Sequence, residues 1–222
     1  MQATTLHTNG APENSMSTIL AGRARLIPVL HVENIDHAEP LLMALESSGI
    51  AVIEVTLRTQ DALKVIERMR RIAKRAVIGA GTLTRPGQFA QVRDAGAGFA
   101  VSPGLTPALA EAAHASGLPY VPGVSTSSEA LFAREVGFHE LKFFPADLMG
   151  GVRWLRHMQP LYPDVRFCPT GGISDENVRS YLEIENVLAA GGAYLAPRNL
   201  IESEQWSVIA RQTVRSVQVA SG

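Results

Sequence analysis

The sequence predicts an α/β fold of the (β/α)8 barrel class, one domain preceded by a short tail. Three observations lead there. Short β-rich apolar runs alternate with helix-patterned stretches and are punctuated by Gly, Pro, Ser and Thr, as strands feeding loops are. The runs number eight, at a repeat of about 20 to 25 residues, which suits the compact end of the barrel's size range. No Gly-x-Gly-x-x-Gly follows the first strand, as the competing doubly wound open sheet would need for a dinucleotide. Gly79-Ala80-Gly81-Thr82 is too short a match, without the third glycine.

The elements follow in order. Residues 1–17 are rich in Thr, Asn, Ser, Gly and Pro and lack periodicity, so a disordered tail is expected there, with the barrel domain occupying 18–222. Met16 is a second candidate for the translation start. The expected strands are Leu26 to His31, Ala51 to Leu57, Ala76 to Gly81, Phe99 to Ser102, Tyr120 to Pro122, Glu140 to Phe144, Arg166 to Pro169 and Val187 to Ala190. Helices fill the gaps. Two examples are His37 to Ser47 and Asp61 to Ile72, where Ala62, Val65, Ile66 and Met69 recur at three- and four-residue spacing.

Composition narrows the function. The 222 residues carry a net charge of -1 and are 46% hydrophobic, which fits an ordinary globular domain. Lys and Arg are scattered, so no nucleic-acid partner is expected. No apolar run reaches the roughly 18 residues of a membrane span, and no basic start with a hydrophobic signal core is seen, so the cytoplasm is the expected location. Cys168 is the only cysteine, which excludes an intrachain disulfide, and its setting between Phe167 and Pro169 suggests packing. The six histidines show no metal-motif spacing and the carboxylates are dispersed, so neither metal nor cofactor is expected.

The chemistry concentrates on Lys142, which sits in the apolar run Leu141-Lys142-Phe143-Phe144. Burial disfavours the charged ammonium and leaves an amine able to attack a ketone and form a Schiff base, whereas a strand-end lysine that reaches solvent would do nothing of the kind. In a barrel, function gathers at the C-terminal ends of the strands. Strand alternation puts Glu54, Thr56 and Arg58 on one face and Ile53, Val55 and Leu57 on the other. With the apolar set against the helices, Glu54 points into the barrel, where a lone carboxylate is costly. Lys142 and Phe144 share a face by the same parity, so Glu54 and Lys142 face each other across one cavity.

Such a pair is either a structural ion pair or a nucleophilic amine beside a proton carrier. Nearby Arg58 is either a solvated surface residue or a fork that grips a carboxylate, and Thr82 either caps a helix or adds a hydroxyl. Two glycine pairs, Gly171-Gly172 and Gly191-Gly192, follow the last two strands, where turns occur but where barrels also receive phosphate on backbone N–H groups.

Taken together, these segments resemble the bacterial 2-keto-3-deoxy-6-phosphogluconate (KDPG) and 4-hydroxy-2-oxoglutarate aldolase family, of class I. The resemblance rests on Glu54-Val55-Thr56-Leu57-Arg58, Gly79-Ala80-Gly81-Thr82, Ser102-Pro103-Gly104, Pro122-Gly123-Val124-Ser125-Thr126, Lys142-Phe143-Phe144-Pro145 and the run from Arg166 to Ile173, and spans about residues 26 to 195. It implies that Lys142 forms the Schiff base, that Glu54 is the acid and base, and that Arg58 and Thr82 hold the pyruvyl carboxylate. Substrate-binding positions at Pro103, Phe144 and Thr170, phosphate on the Gly171-Gly172 and Gly191-Gly192 backbone, and a homotrimer acting on a small keto acid are implied as well. One position departs from the pattern. Relatives commonly carry a serine or threonine hydroxyl after the last glycine pair, whereas this chain has Ala193, which implies weaker discrimination in favour of phosphorylated substrates.

Overall fold

The computed structural model describes residues 15–221, and the expected tail over 1–14 lies outside the described residues. Helix α1 (Met16–Leu20) comes first, followed by strands and helices in alternation: β1 (Leu26–Leu30), α2 (Ala38–Ser47), β2 (Val52–Thr56), α3 (Ala62–Ile72), β3 (Val77–Gly81), α4 (Gln88–Asp94), β4 (Ala100–Val101) and α5 (Pro107–Ser116). The second half continues with β5 (Tyr120–Val121), β6 (Gly123–Val124), α6 (Ser127–Glu135), β7 (Glu140–Phe143), α7 (Gly151–Met158), β8 (Arg166–Pro169), α8 (Val178–Leu182), β9 (Ala190–Gly192), α9 (Arg198–Glu202) and α10 (Trp206–Ser221).

All strand pairs are parallel. Six strands run in the order β5-β4-β3-β2-β1-β9, and three more in the order β6-β7-β8. Two things connect the groups. β5 and β6 are one stretch of chain interrupted at Pro122, which has no N–H to give a ladder. On the other side, isolated parallel bridges join Phe167 to Val187 and Thr170 to Gly191. The curled sheet so formed has an outer face packed under the helices by residues such as Ile53, Val55, Leu141, Phe143 and Phe167. A separate inner cluster contains Met16, Leu20, Ile27, Val52, Phe99, Val101, Val121, Cys168 and Ala189.

Three expectations are corrected. The tail boundary at residue 17 is too late, because Ser15 and Met16 are buried and the Ser15 side chain caps α1 by accepting from the Thr18 N–H. The strand expected over Tyr120 to Pro122 ends at Val121, and a second short strand, Gly123–Val124, follows Pro122. The last strand lies at Ala190–Gly192 rather than Val187 to Ala190, so Gly191 and Gly192 are strand residues paired with Ile27 and Pro28 instead of a loop beyond the strand. No helix among the described residues is long and apolar enough to cross a membrane.

One connection carries a pH-dependent clip. Glu46, at the end of α2, accepts backbone hydrogen bonds from Lys74 at 3.1 Å, Arg75 at 2.8 Å and Ala76 at 2.8 Å, pinning the turn into β3. Burial raises its pKa, but the three N–H donors and the Arg75 charge together outweigh it and hold the carboxyl below its ordinary value of 4.5. A depressed folded pKa stabilises the fold above the unfolded value and loses that effect as pH falls through the folded one. Glu46→Gln should therefore lower stability by about 1 kcal/mol at pH 7, with the gap to the parent narrowing below the ordinary value of 4.5 in urea titrations run across pH.

Candidate active site

The inner face of the sheet brings Glu54, Lys142, Thr170 and Gly191 to one cavity. Glu54 (4% exposed) projects from β2 and Lys142 (6% exposed) from β7. Lys142 Nζ donates to Glu54 Oε1 at 3.2 Å across the interior. Neither neighbour of Lys142 in sequence shares its face, since Leu141 and Phe143 belong to the outer core. The Phe144 ring lies beside the amine, with Nζ 5.3 Å from its centroid.

The glycines of β3 make room for this arrangement. A Cβ on Gly81 would run into the Glu54 carboxylate, and one on Gly79 into the Phe99 ring. The Gly79-Ala80-Gly81 run thus serves close packing rather than a nucleotide. Thr56, the next inward residue of β2, is buried and donates its hydroxyl to the Leu30 carbonyl at 2.8 Å. Arg58 stands exposed at the mouth, where its Nε donates to Thr82 Oγ1 at 3.3 Å. Thr82 adopts φ 65°, a left-handed conformation that disfavours a β-branched residue by about 1 kcal/mol or more and that persists where the surroundings impose it.

Pro103 is exposed on the loop after β4, and Ser102 fixes that loop. The Ser102 hydroxyl donates to the Gly104 carbonyl at 2.6 Å and lies 2.5 Å from the Tyr120 hydroxyl. Burial pushes the Tyr120 phenol up to about 12.

At the opposite side of the mouth, Thr170 is buried and bridges to Gly191. Gly171 (φ 95°) and Gly172 (φ 77°) turn the chain in the left-handed region, and a Cβ on Gly172 would meet Asp147. The loop is held by Asn177, whose Nδ2 donates to the Gly172 carbonyl at 2.7 Å and whose Oδ1 accepts from the Ser174 N–H at 2.9 Å. Ala193 is exposed and opens a single 3-10 turn, Ala193–Leu195, directly after Gly192.

Sequence reasoning missed the depth of the site. Met16, Phe99 and Cys168 line the same cavity as Glu54 and Lys142. Strand parity would have shown Cys168, whose register partner is Lys142, whereas α1 gave no periodic signal. Burial, followed by the nearby Glu140 charge, pushes the Cys168 thiol up to about 12. Among the described residues no group of three or more His, Cys, Asp or Glu side chains is gathered as metal ligands are.

Comparison with known proteins places this geometry. The family model for KDPG and KHG aldolases matches residues 18–212. The chain is 43% identical over 197 residues to 2-dehydro-3-deoxy-phosphogluconate aldolase of Pseudoalteromonas atlantica, covering 89% of this chain and 92% of that one. It is 42% identical over 195 residues to KHG/KDPG aldolase of Escherichia coli, covering 88% and 92%. Among solved structures, KDPG aldolase from Legionella pneumophila, with pyruvate captured at low pH as a covalent carbinolamine, superposes with a TM-score of 0.87 at 39% identity, over 91% of this chain and 98% of that one. The chain therefore belongs to the KDPG and KHG aldolase family.

Proposed function

We propose that this chain is a class I aldolase that cleaves 2-keto-3-deoxy-6-phosphogluconate to pyruvate and glyceraldehyde 3-phosphate through a Schiff base on Lys142. The observation that carries this reading is the buried Lys142 to Glu54 contact at 3.2 Å. An amine and a carboxylate taken out of water together form a weak stabilising device but a good catalytic one, because the carboxylate can carry the proton that imine formation and bond cleavage must move.

In the proposed sequence the Lys142 amine attacks the C2 ketone, and Glu54 delivers the proton with which the carbinolamine hydroxyl leaves as water. The protonated imine then draws the electrons of the C3–C4 bond while Glu54, through water, takes the C4 hydroxyl proton. Glyceraldehyde 3-phosphate departs. The remaining enamine is protonated at C3, and hydrolysis of the imine frees pyruvate and the amine. Arg58 and Thr82 hold the pyruvyl carboxylate, Pro103, Phe144 and Thr170 line the substrate, and the Gly171-Gly172 and Gly191-Gly192 backbone receives the phosphate.

Two finer features belong to the same proposal. The curled sheet closes as an eight-stranded barrel, supported by the continuity of β5 with β6 through Pro122 and by the Thr170 and Phe167 bridges. Three copies assemble as a homotrimer working in the cytoplasm, which light scattering tests by a mass of three times 23.8 kDa.

A second reading, cleavage of 4-hydroxy-2-oxoglutarate or an unphosphorylated 2-keto-3-deoxy acid, is favoured by Ala193, which offers no hydroxyl to a phosphate. Losing a hydrogen bond to a charged group weakens binding by about tenfold to a hundredfold. Ala193→Ser should therefore raise the kcat/KM ratio of phosphorylated to unphosphorylated substrate by about tenfold or more. An unchanged ratio would remove the case for a missing ligand. Pyruvate release from the three acids side by side, with EDTA present, tests the assignment. Dominant turnover of the phosphorylated acid supports the first reading, and turnover of none of them overturns both.

A further inference from the structure

Helix α1 and the residue that anchors it take no part in the chemistry above, yet they form a wall of the same chamber. Met16 is 1% exposed and lines the cavity shared by Lys142, Glu54 and Cys168. That cavity measures about 20 Å³, room for about one water, and Ile27, Phe99, Val101 and Val121 complete its apolar walls. Glu140 keeps Met16 in place. Its Oε2 accepts from the Met16 N–H at 2.7 Å and its Oε1 from the Ser17 N–H at 2.8 Å, and the Ser17 hydroxyl bonds the same oxygen. Glu140 opens β7 two residues before Lys142, on the same face and roughly 7 Å nearer the N-terminal end. A five-residue helix does not persist by itself, so α1 depends on this clamp and on the burial of Met16 and Leu20.

We propose that Glu140 and Met16 are positioning residues: Glu140 clamps α1 across the N-terminal end of the sheet, and Met16 forms a floor that shuts water out from beneath Lys142. Among the described residues the amine is then reached from the mouth, and the charged intermediates meet fixed protein groups instead of water from below. The floor rests on one apolar side chain and on hydrogen bonds to one carboxylate, so a substitution at either residue opens it.

Cys168 reports on the floor. It is the sole cysteine, it is buried, and it lines the cavity above Met16. The experiment measures its alkylation by N-ethylmaleimide in the full chain, the Met16→Ala and Glu140→Gln variants, and a Met16→Leu control. Met16→Ala is the primary variant because it leaves the Glu140 charge beside the thiol unchanged. Each opened variant should react about tenfold faster or more, while Met16→Leu matches the parent. Turnover should fall severalfold in kcat with KM little changed, since neither residue touches substrate.

The route of access is then checked by blocking the mouth with pyruvate reduced onto Lys142 by borohydride. Acceleration that survives this adduct supports access from below. Acceleration that disappears with the adduct, alkylation no faster than the parent in a folded variant, or an unchanged kcat overturns the proposal. If Met16→Ala does not fold, Met16→Val carries the test, since it too leaves the Glu140 charge beside the thiol unchanged. The adduct rests on the Schiff-base reading and is verified by mass before alkylation, so its failure to form counts against that reading while the uncapped rates still judge the floor.

Discussion

Lys142→Ala is expected to abolish turnover, with a loss in kcat beyond the roughly 10²- to 10⁴-fold that removing a general acid or base produces. The reason is chemical. Without an amine no imine forms, and the C3–C4 bond has no electron sink at C2. The fold should persist, because the outer core that packs the helices does not include Lys142. A cost in stability is nonetheless expected, since Glu54 is left buried without its cation, and breaking one side of a buried pair costs about 3 to 5 kcal/mol. Circular dichroism and urea denaturation alongside the kinetics separate the two effects. Full turnover by a folded Lys142→Ala protein would end the Schiff-base account.

Glu54→Gln is the second large effect, and it has a different signature. The glutamine keeps the shape and can still accept from the Lys142 amine, but it cannot take up and return a proton. We expect kcat to fall by about 10²- to 10⁴-fold while substrate affinity changes little. Borohydride reduction in the presence of pyruvate should still label the variant, only more slowly. A Glu54→Gln enzyme with parental kcat would reduce the contact to a structural ion pair, the alternative that sequence reading leaves open.

Much of this site is legible in the sequence because a strand has a period of two. That periodicity turns Glu54 inward away from Ile53 and Val55, and Lys142 inward away from Leu141 and Phe143, and the two side chains meet at 3.2 Å as parity requires. Pairing of Arg58 with Thr82 is likewise foreshadowed by their positions at the ends of neighbouring strands. What stays hidden depends on contacts distant in sequence. The segment around Met16 looks like a polar tail, and it becomes part of the fold through Glu140, 124 residues away, and through the burial of Met16 and Leu20. Glu140 itself lies in an expected strand, and its shared parity with Lys142 is the one clue to an inward role. Gly191 and Gly192 read as a loop because glycines usually punctuate strands, but the Thr170 side chain and the Tyr194 ring occupy the space their side chains would need. The left-handed Thr82 has no sequence signal at all, since threonine is a poor candidate for that conformation.

The central claim is that Lys142 is the nucleophile, and the most direct test is peptide mass mapping after borohydride reduction with pyruvate. The account predicts one added pyruvate-derived group per chain, confined to the peptide containing Lys142 and absent from Lys142→Ala. A stable adduct on any other lysine, or no adduct in a preparation that releases pyruvate from substrate, would contradict it.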